Sequence, residues 1–341
     1  MTLTVTKNDL SAGEYDAFLR RQDGWTSFHL SGWSSVFEDV LGHDAICLVA
    51  RTPQGEVRGV LPLVRIRSAI FGHFLVSMPF VNHGGPLGDD DAVRVLVQAA
   101  VELAKTDRVD LLELRSRRAL DIDLPASHRK VAVLLPLPGT PEALFKSFPA
   151  KLRSQVRRPT KEGVVVHFGR DRVRDFHQVY ASHMRDLGTP TQGLPLFEAL
   201  ADTFGDDAWT GVAYLEDEPI ACGMGFRWGS EFEITWASAL RKHNRIAPNM
   251  ALYWEFMQRA IAQGCTTFNF GRSTPGANTH RFKLQWGGHD EPLHWYQYSS
   301  SGRTATPNPD AGLMAMAPRV WRRLPLALTN RLGPRVVRFI P

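Results

Sequence analysis

"FNFGRSTPGANTHRFKLQWGG" occupies residues 268–288. It begins as an alternating run with one apolar face, as a half-buried strand would, and stops abruptly at Arg272 and Ser273. A Pro/Gly/Asn loop follows, then Phe282 and Lys283, then Trp286 before two glycines. The same strand ending occurs earlier: "VDLLELRS", residues 109–116, also closes on Arg-Ser as Arg115 and Ser116. Two strands with one ending point to two copies of one plan.

The segments before each strand support this. In the first half, helical spacing covers residues 13–23 and 33–42. A strand pair follows over residues 45–66, reversing at "TPQGE", and then come a strand near 74–86, a helix over 91–106 and the strand ending in Arg115. A further strand is read at 131–137. In the second half, helices over 173–188 and 195–205 precede a strand pair over 209–228, a strand over 232–240, a helix over 248–264 and the strand ending in Arg272. The order strand, turn, strand, strand, helix, strand thus appears twice, which predicts an α/β chain of two similar mixed-sheet domains. Pro and Gly concentrate in "LPLPGTPEAL", residues 135–144, the expected linker.

Composition narrows the function classes. The chain has 341 residues, more than one ordinary core and suited to two. Cys47, Cys222 and Cys265 are scattered, lack CxxC spacing and cannot all pair, which fits a reducing compartment. The first ten residues show no secretory pattern, and the longest apolar stretch, residues 69–81, is too short to span a bilayer. These features predict a cytoplasmic protein. A net charge of +5 and a pI near 9.2 favour anionic partners: phosphates, nucleic acid or an acidic membrane surface. There is no G-x-S-x-G elbow, and the histidines have no metal-ligand spacing, so neither a hydrolase triad nor a metal site is expected.

Three segments of the second half resemble the FemAB family of aminoacyl and acyl transferases. They are "FPAKLRSQVRRPTKEGVVV" (148–166), "APNMALYWEFMQRAIAQGCTTFNFGRS" (247–273) and "RFKLQWGG" (281–288). "GVLPLVRI" and "SMPFVNHGGP" in the first half look most like the branch found with bacterial exosortase and exopolysaccharide loci. The resemblance implies two GNAT-like (acetyltransferase) domains in tandem, 1–140 and 141–300, followed by a basic tail over 301–341. It also implies an N-acyl, O-acyl or aminoacyl transferase that modifies a cell-envelope, peptidoglycan or exopolysaccharide precursor. Its donor would be anionic, either an aminoacyl-tRNA or a coenzyme A thioester, with no metal required.

Acyl transfer builds negative charge on a carbonyl oxygen, and a preorganised cation in a dry pocket is the strongest lever on it. Lys283 is the candidate for that role. In the family the matching Phe-Lys pair lies at the acyl end of the donor, which the resemblance implies for Phe282 and Lys283, with Trp286 excluding water. Arg272 ends its strand, where its planar fork suits a phosphate or carboxylate, or ties the loop down through a salt bridge. Lys151, Arg153, Arg157, Arg158 and Lys161 form a stripe fit for a phosphate-rich donor, or a wetted helix face, and Pro159 is expected to end that helix early. Asn249 stands where acetyltransferases carry a Gly-rich loop opening a helix; the missing glycines disfavour close approach of a pyrophosphate.

On the acceptor side, Arg185 matches an Arg that peptidoglycan-acting relatives use. The lysine they carry just past the residue matching Trp33 is absent. Asn82 and His83 would line the acceptor cleft, or belong to a structural Gly-rich turn. Glu231 and Glu233 share one strand face; Glu233 is the candidate general base, and the plainer reading makes both surface residues. The tail, rich in Arg and Leu, either lies on an anionic inner-membrane surface or packs back on the first domain as a helix. The alternative from another class is a non-catalytic basic protein that binds nucleic acid or membrane and keeps only the fold.

Overall fold

The computed structural model describes residues 3–299 and 318–341. These fall into two compact units: residues 3–131 with 291–299 and 339–341, and residues 132–290 with 318–338.

In the first unit the chain runs β1 (Thr4–Lys7), α1 (Ala12–Leu19), α2 (Gly32–Asp39), β2 (Asp44–Arg51), β3 (Val57–Ser68), β4 (Gly72–Val76), β5 (Leu87–Gly88), α3 (Asp90–Thr106), β6 (Leu111–Ser116) and β7 (Ala126–Ser127). Each start has a local cause. Ser11 and Glu14 form a reciprocal capping box on α1, and Asp89 accepts from the Ala92 N–H to open α3. The predicted "TPQGE" reversal joins β2 to β3, with the Thr52 N–H donating to the Glu56 carbonyl at 2.9 Å. Helix α3 lays Val93, Leu96, Ala100 and Leu103 over Leu48, Leu61, Leu63 and Leu112 of the sheet. Burying each such Val or Leu side chain contributes about 1.5–3 kcal/mol.

The second unit runs β8 (Val131–Pro136), α4 (Pro141–Ser147), α5 (Ala150–Lys161), β9 (Val164–Phe168), α6 (Val173–Leu187), α7 (Leu194–Phe204), β10 (Ala208–Leu215), β11 (Glu218–Trp228), β12 (Glu231–Ala239), α8 (Pro248–Ala262), β13 (Thr267–Ser273), α9 (Asn278–Leu284) and β14 (His289–Pro292). The chain then adds β15 (His294–Tyr298) and α10 (Leu326–Val337). The second sheet has the order β14-β8-β13-β12-β11-β10-β9, and the first has β1-β2-β3-β4-β6-β15-β7 with β5 on β3.

The boundaries differ from those expected. Strand β8, assigned by pattern to the first half, belongs to the second sheet, and β15 returns to the first sheet beside β6. The division therefore falls after residues 131 and 290, not 140 and 300. Helix α10 packs on α6 of the second unit, and before it Arg322 donates to the Leu187 carbonyl at the end of α6, whereas Phe339–Pro341 group with the first unit, where the whole tail was expected to pack. Residues 300–317, where the tail begins, lie outside the described residues. Helix α5 continues past Pro159 to Lys161 because the ring is buried in the last turn, where only one backbone bond is forfeited.

One irregularity shapes the second sheet. Strands β11 and β12 pair Gly225 with Ile234 and Met224 with Trp236, so Thr235 is an extra residue, a β-bulge. Gly225 is what the bulge requires: a Cβ there would stand 2.1 Å from the Glu233 carbonyl oxygen and 2.6 Å from the Phe232 ring. Gly225→Val should therefore destabilise the protein by about 1–3 kcal/mol, through overpacking of a strand that cannot move away. Urea unfolding checks this: the midpoint should drop at unchanged slope, and an unchanged midpoint would remove the steric account.

Candidate active site

Strands β12 and β13 are parallel neighbours, yet they pair only over Glu231–Glu233 and Thr267–Asn269. Beyond that they part. On β12 the departure is the bulge at Thr235. On β13 it is Gly271, whose φ of +69° lies in the left-handed region that glycine enters without penalty. Asn269, fully buried, holds this kink from within the strand: its Oδ1 accepts from the Gly271 N–H at 2.8 Å and its Nδ2 donates to Glu231 Oε1 at 2.8 Å.

The kink turns two main-chain carbonyls toward α9. Lys283 Nζ donates to the carbonyls of Gly271 at 3.0 Å and Arg272 at 2.9 Å. Lys283 is only 8% exposed. Burial, the largest influence, pulls its pKa down to about 8; the negative charge of Glu233 holds it up and Arg272 pushes it down. An ammonium has three hydrogens, so two bonds to the backbone leave one for an occupant of the space beside it.

That space is a cavity of about 480 Å³ in the gap between the strands. Ile234, Thr235 and Ser238 of β12 line it, with Phe270 and Arg272 of β13 and Phe282 and Lys283 of α9. Aromatic packing seals its apolar side: Tyr253 meets Phe282 edge-on at 5.2 Å and stacks on Phe270 at 5.6 Å. Helix α8 begins at Pro248, after Ala247 with φ +53° and with no side-chain cap, and its second residue, Asn249, lines the cavity wall. The positive end of its dipole faces the space.

The sequence-predicted residues thus divide into groups. Lys283, Phe282, Arg272 and Asn249 meet in this one cavity. Trp286 does not line it; 1% exposed, it is packed among Phe148, Tyr253, Phe270 and Phe282 as part of the core behind the site. Glu233 is 0% exposed and also absent from the wall, although its neighbours Ile234 and Thr235 are there. It is not the surface residue of the plain reading, and its negative charge holds the Lys283 pKa up.

Arg153 and Arg157 line a different cavity of about 850 Å³, together with Lys161, Trp254, Glu255 and Gln258. Helix α8 explains the separation: Asn249, Leu252 and Tyr253 present one face to the first cavity, while Trp254, Glu255 and Gln258 present another to the second. Arg157 lies over the Phe145 ring at 4.8 Å, and Arg153 donates to the Phe148 carbonyl at 2.6 Å. Lys151 and Arg158 are exposed and line neither.

Arg185 pairs with its neighbour Asp186 at 2.8 Å and stays off the cavity wall. Two residues earlier on the same helix, His183 is on that wall, with Nδ1 2.9 Å from Ser238 Oγ. Sequence spacing offered no signal for it, because its partners come from other elements. In the first unit Trp33, Asn82 and His83 are all buried. Trp33 packs edge-on against Phe28 at 5.5 Å, and His83 meets the same ring at 5.0 Å while its Nδ1 lies 3.3 Å from Thr26 Oγ1. Trp33 and His83 thus share one aromatic neighbour, Phe28. Among the described residues no three His, Cys, Asp or Glu side chains gather as metal ligands, and no helix is long and apolar enough to cross a membrane.

Comparison with known proteins agrees with this geometry. Residues 146–284 match the family model described as an acetyltransferase (GNAT) domain. No curated protein matches the chain in sequence. Among solved structures, FemX superposes with a TM-score of 0.65 at 17% identity, over 85% of this chain and 97% of that one. L-PGS from Bacillus licheniformis gives 0.56 at 14%, over 92% and 98%. A tandem GNAT protein from the clavulanic acid biosynthesis pathway gives 0.50 at 15%, over 87% and 98%. At these identities the structural likeness speaks for the fold, and the domain match speaks for the segment that holds the cavity. Residues 146–284 are therefore a GNAT acetyltransferase domain, and the chain as a whole shares the fold of FemX and of the tandem GNAT protein.

Proposed function

We propose that this chain moves an acyl or aminoacyl group from an anionic donor to a nitrogen or oxygen nucleophile on a cell-envelope precursor in the cytoplasm. Lys283 stabilises the oxyanion of the tetrahedral intermediate. The observation that carries the proposal is the buried ammonium fixed by two carbonyls on the cavity wall. Held by backbone, it needs no reorganisation when charge develops, and little water competes for it. Phe282 and Tyr253 form the apolar wall against which the acyl group would rest. The start of α8 and the Arg272 side chain supply positive potential for the donor's phosphates.

The donor is an aminoacyl-tRNA or a coenzyme A thioester. Envelope chemistry is favoured by the structural likeness to FemX and to a domain named for a putative lysylphosphatidylglycerol synthetase, which superposes at a TM-score of 0.55 with 15% identity. A second reading, binding without transfer, draws on the basic groove of α5, which is separate from the Lys283 cavity. Lys283 distinguishes the two.

The assay incubates the full chain with radiolabelled acetyl-CoA or a mixed radiolabelled aminoacyl-tRNA pool, with a small-molecule extract of cell-envelope precursors as acceptor. Mass spectrometry should find a precursor gaining one acyl or aminoacyl increment. Lys283→Met should lower the rate by ~10²–10³-fold, the usual loss for one oxyanion donor. Undiminished transfer by this variant would end the assigned role.

The pH dependence has a fixed sign. Because the folded-state pKa of Lys283 is lowered to about 8, the ammonium is present below that pH and lost above it. Transfer at saturating substrate should therefore fall as pH rises through about 8. An alkaline limb that persists in Lys283→Met would assign it to another group. Asn269→Leu should cost about 1–3 kcal/mol in chemical denaturation, by leaving the buried Gly271 N–H without its acceptor. It should also slow transfer, since the carbonyls that hold Lys283 lose their support. Full activity in a destabilised Asn269→Leu protein would uncouple the kink from catalysis.

A further inference from the structure

Acyl transfer to an amine or hydroxyl releases a proton, and an ammonium cannot accept it. The titratable side chains on the cavity wall are His183, Tyr253, Arg272 and Lys283. Burial pushes the Tyr253 phenol well above its usual range, and Arg272 stays protonated. Glu233 lies behind the wall. His183 remains.

Its placement is specific. Helix α6 brings His183 across to β12, where the imidazole Nδ1 and Ser238 Oγ lie 2.9 Å apart, just beyond the bulge that opens the cavity. This contact engages Nδ1 and fixes the ring, and Nε2 makes no hydrogen bond to a described residue. The charged groups around it are Arg241 after β12, Asp186 on its own helix, and Lys283 and Arg272 on the same cavity wall. Burial is the strongest influence and, with Arg241, holds the imidazole below its usual range against the pull of Asp186. The ring is thus neutral near neutrality, as a proton acceptor must be.

We infer that His183 is the general base of the transfer reaction, its Nε2 taking the proton of the acceptor's amine or hydroxyl. This rests on the acyltransferase reading above. As the nucleophile bonds to the acyl carbon, its N–H or O–H proton passes to Nε2 and the carbonyl electron pair moves onto oxygen, beside Lys283. Collapse of the intermediate breaks the bond to the donor's ester oxygen or thioester sulfur. The leaving atom takes the proton from Nε2, so the imidazole ends neutral and no other reactant is consumed.

The test uses the full chain with the same labelled acetyl-CoA and aminoacyl-tRNA donors and precursor extract. His183→Ala should lower kcat ~10²–10⁴-fold while KM changes by less than about threefold. Added imidazole should restore part of the rate in His183→Ala and leave the wild type unchanged. The wild-type rate should fall on the acid side with a midpoint below 6.5, and that limb should vanish in the variant. Ser238→Ala should shift the midpoint with a smaller loss of rate, since the ring keeps its place on α6 but loses its orienting partner. A His183→Ala protein that transfers at the wild-type rate, or one that folds and is slow but ignores imidazole, overturns the assignment while leaving the acyltransferase reading intact. Absence of transfer by the wild type from either donor overturns both.

Discussion

The site depends on two parallel strands being made to separate. Left alone, β12 and β13 would continue their ladder, since each unpaired buried N–H or carbonyl costs free energy. An extra residue on one strand and a left-handed glycine on the other end it after three pairs. The carbonyls released at Gly271 and Arg272 then need donors in a place largely closed to water, and Lys283 provides two. Its first task is structural: it satisfies the broken edge. Its chemical potential comes from the same position, because the burial that makes the carbonyls demanding also strips the ammonium of solvent and brings its pKa down to about 8.

The first unit begins the same way and ends differently. There β4 and β6 also pair in parallel over three residues, Phe74–Val76 with Leu111–Glu113. Instead of an open gap, residues 77–85 cross it: the Ser77 N–H donates to the Glu113 carbonyl, the Gly84 N–H to the Arg115 carbonyl, and Arg115 Nη1 to the Val81 carbonyl. Arg115 is drawn inward, paired with Glu113 at 2.8 Å and stacked over the Trp295 ring at 4.5 Å. The matching Arg272 is exposed on the wall of an open cavity. One strand ending therefore serves as a closure in one unit and as part of a site in the other, and the segments packed around each ending decide which.

The repeated element order and the strands that end in Arg-Ser were legible because period and turn residues are local signals. The Lys283 neighbourhood was legible too, since Phe282, Lys283 and Arg272 lie within one short stretch and β13 sets where it goes. Partner choice was not. Nothing in "VAVLLP" says that β8 will pair in the second sheet rather than the first. The basic stripe of α5 was correctly placed on a helix, but which face of α8 it would meet depends on packing across three helices. Glu233 and Trp286 look reactive in sequence and are buried by tertiary structure. His183 looks idle in sequence, and only the approach of α6 to β12 gives it a partner. Asn269 did leave a trace, a polar residue between two phenylalanines.

Gly271 has no side chain and so no chemistry of its own, yet its conformation aims the carbonyls that hold the reactive group. Any L-residue there would face a steric penalty of roughly 1–2 kcal/mol for the same backbone, or would swing the peptide planes away. What the kink asks for at this position is thus a hydrogen, where every other amino acid carries carbon.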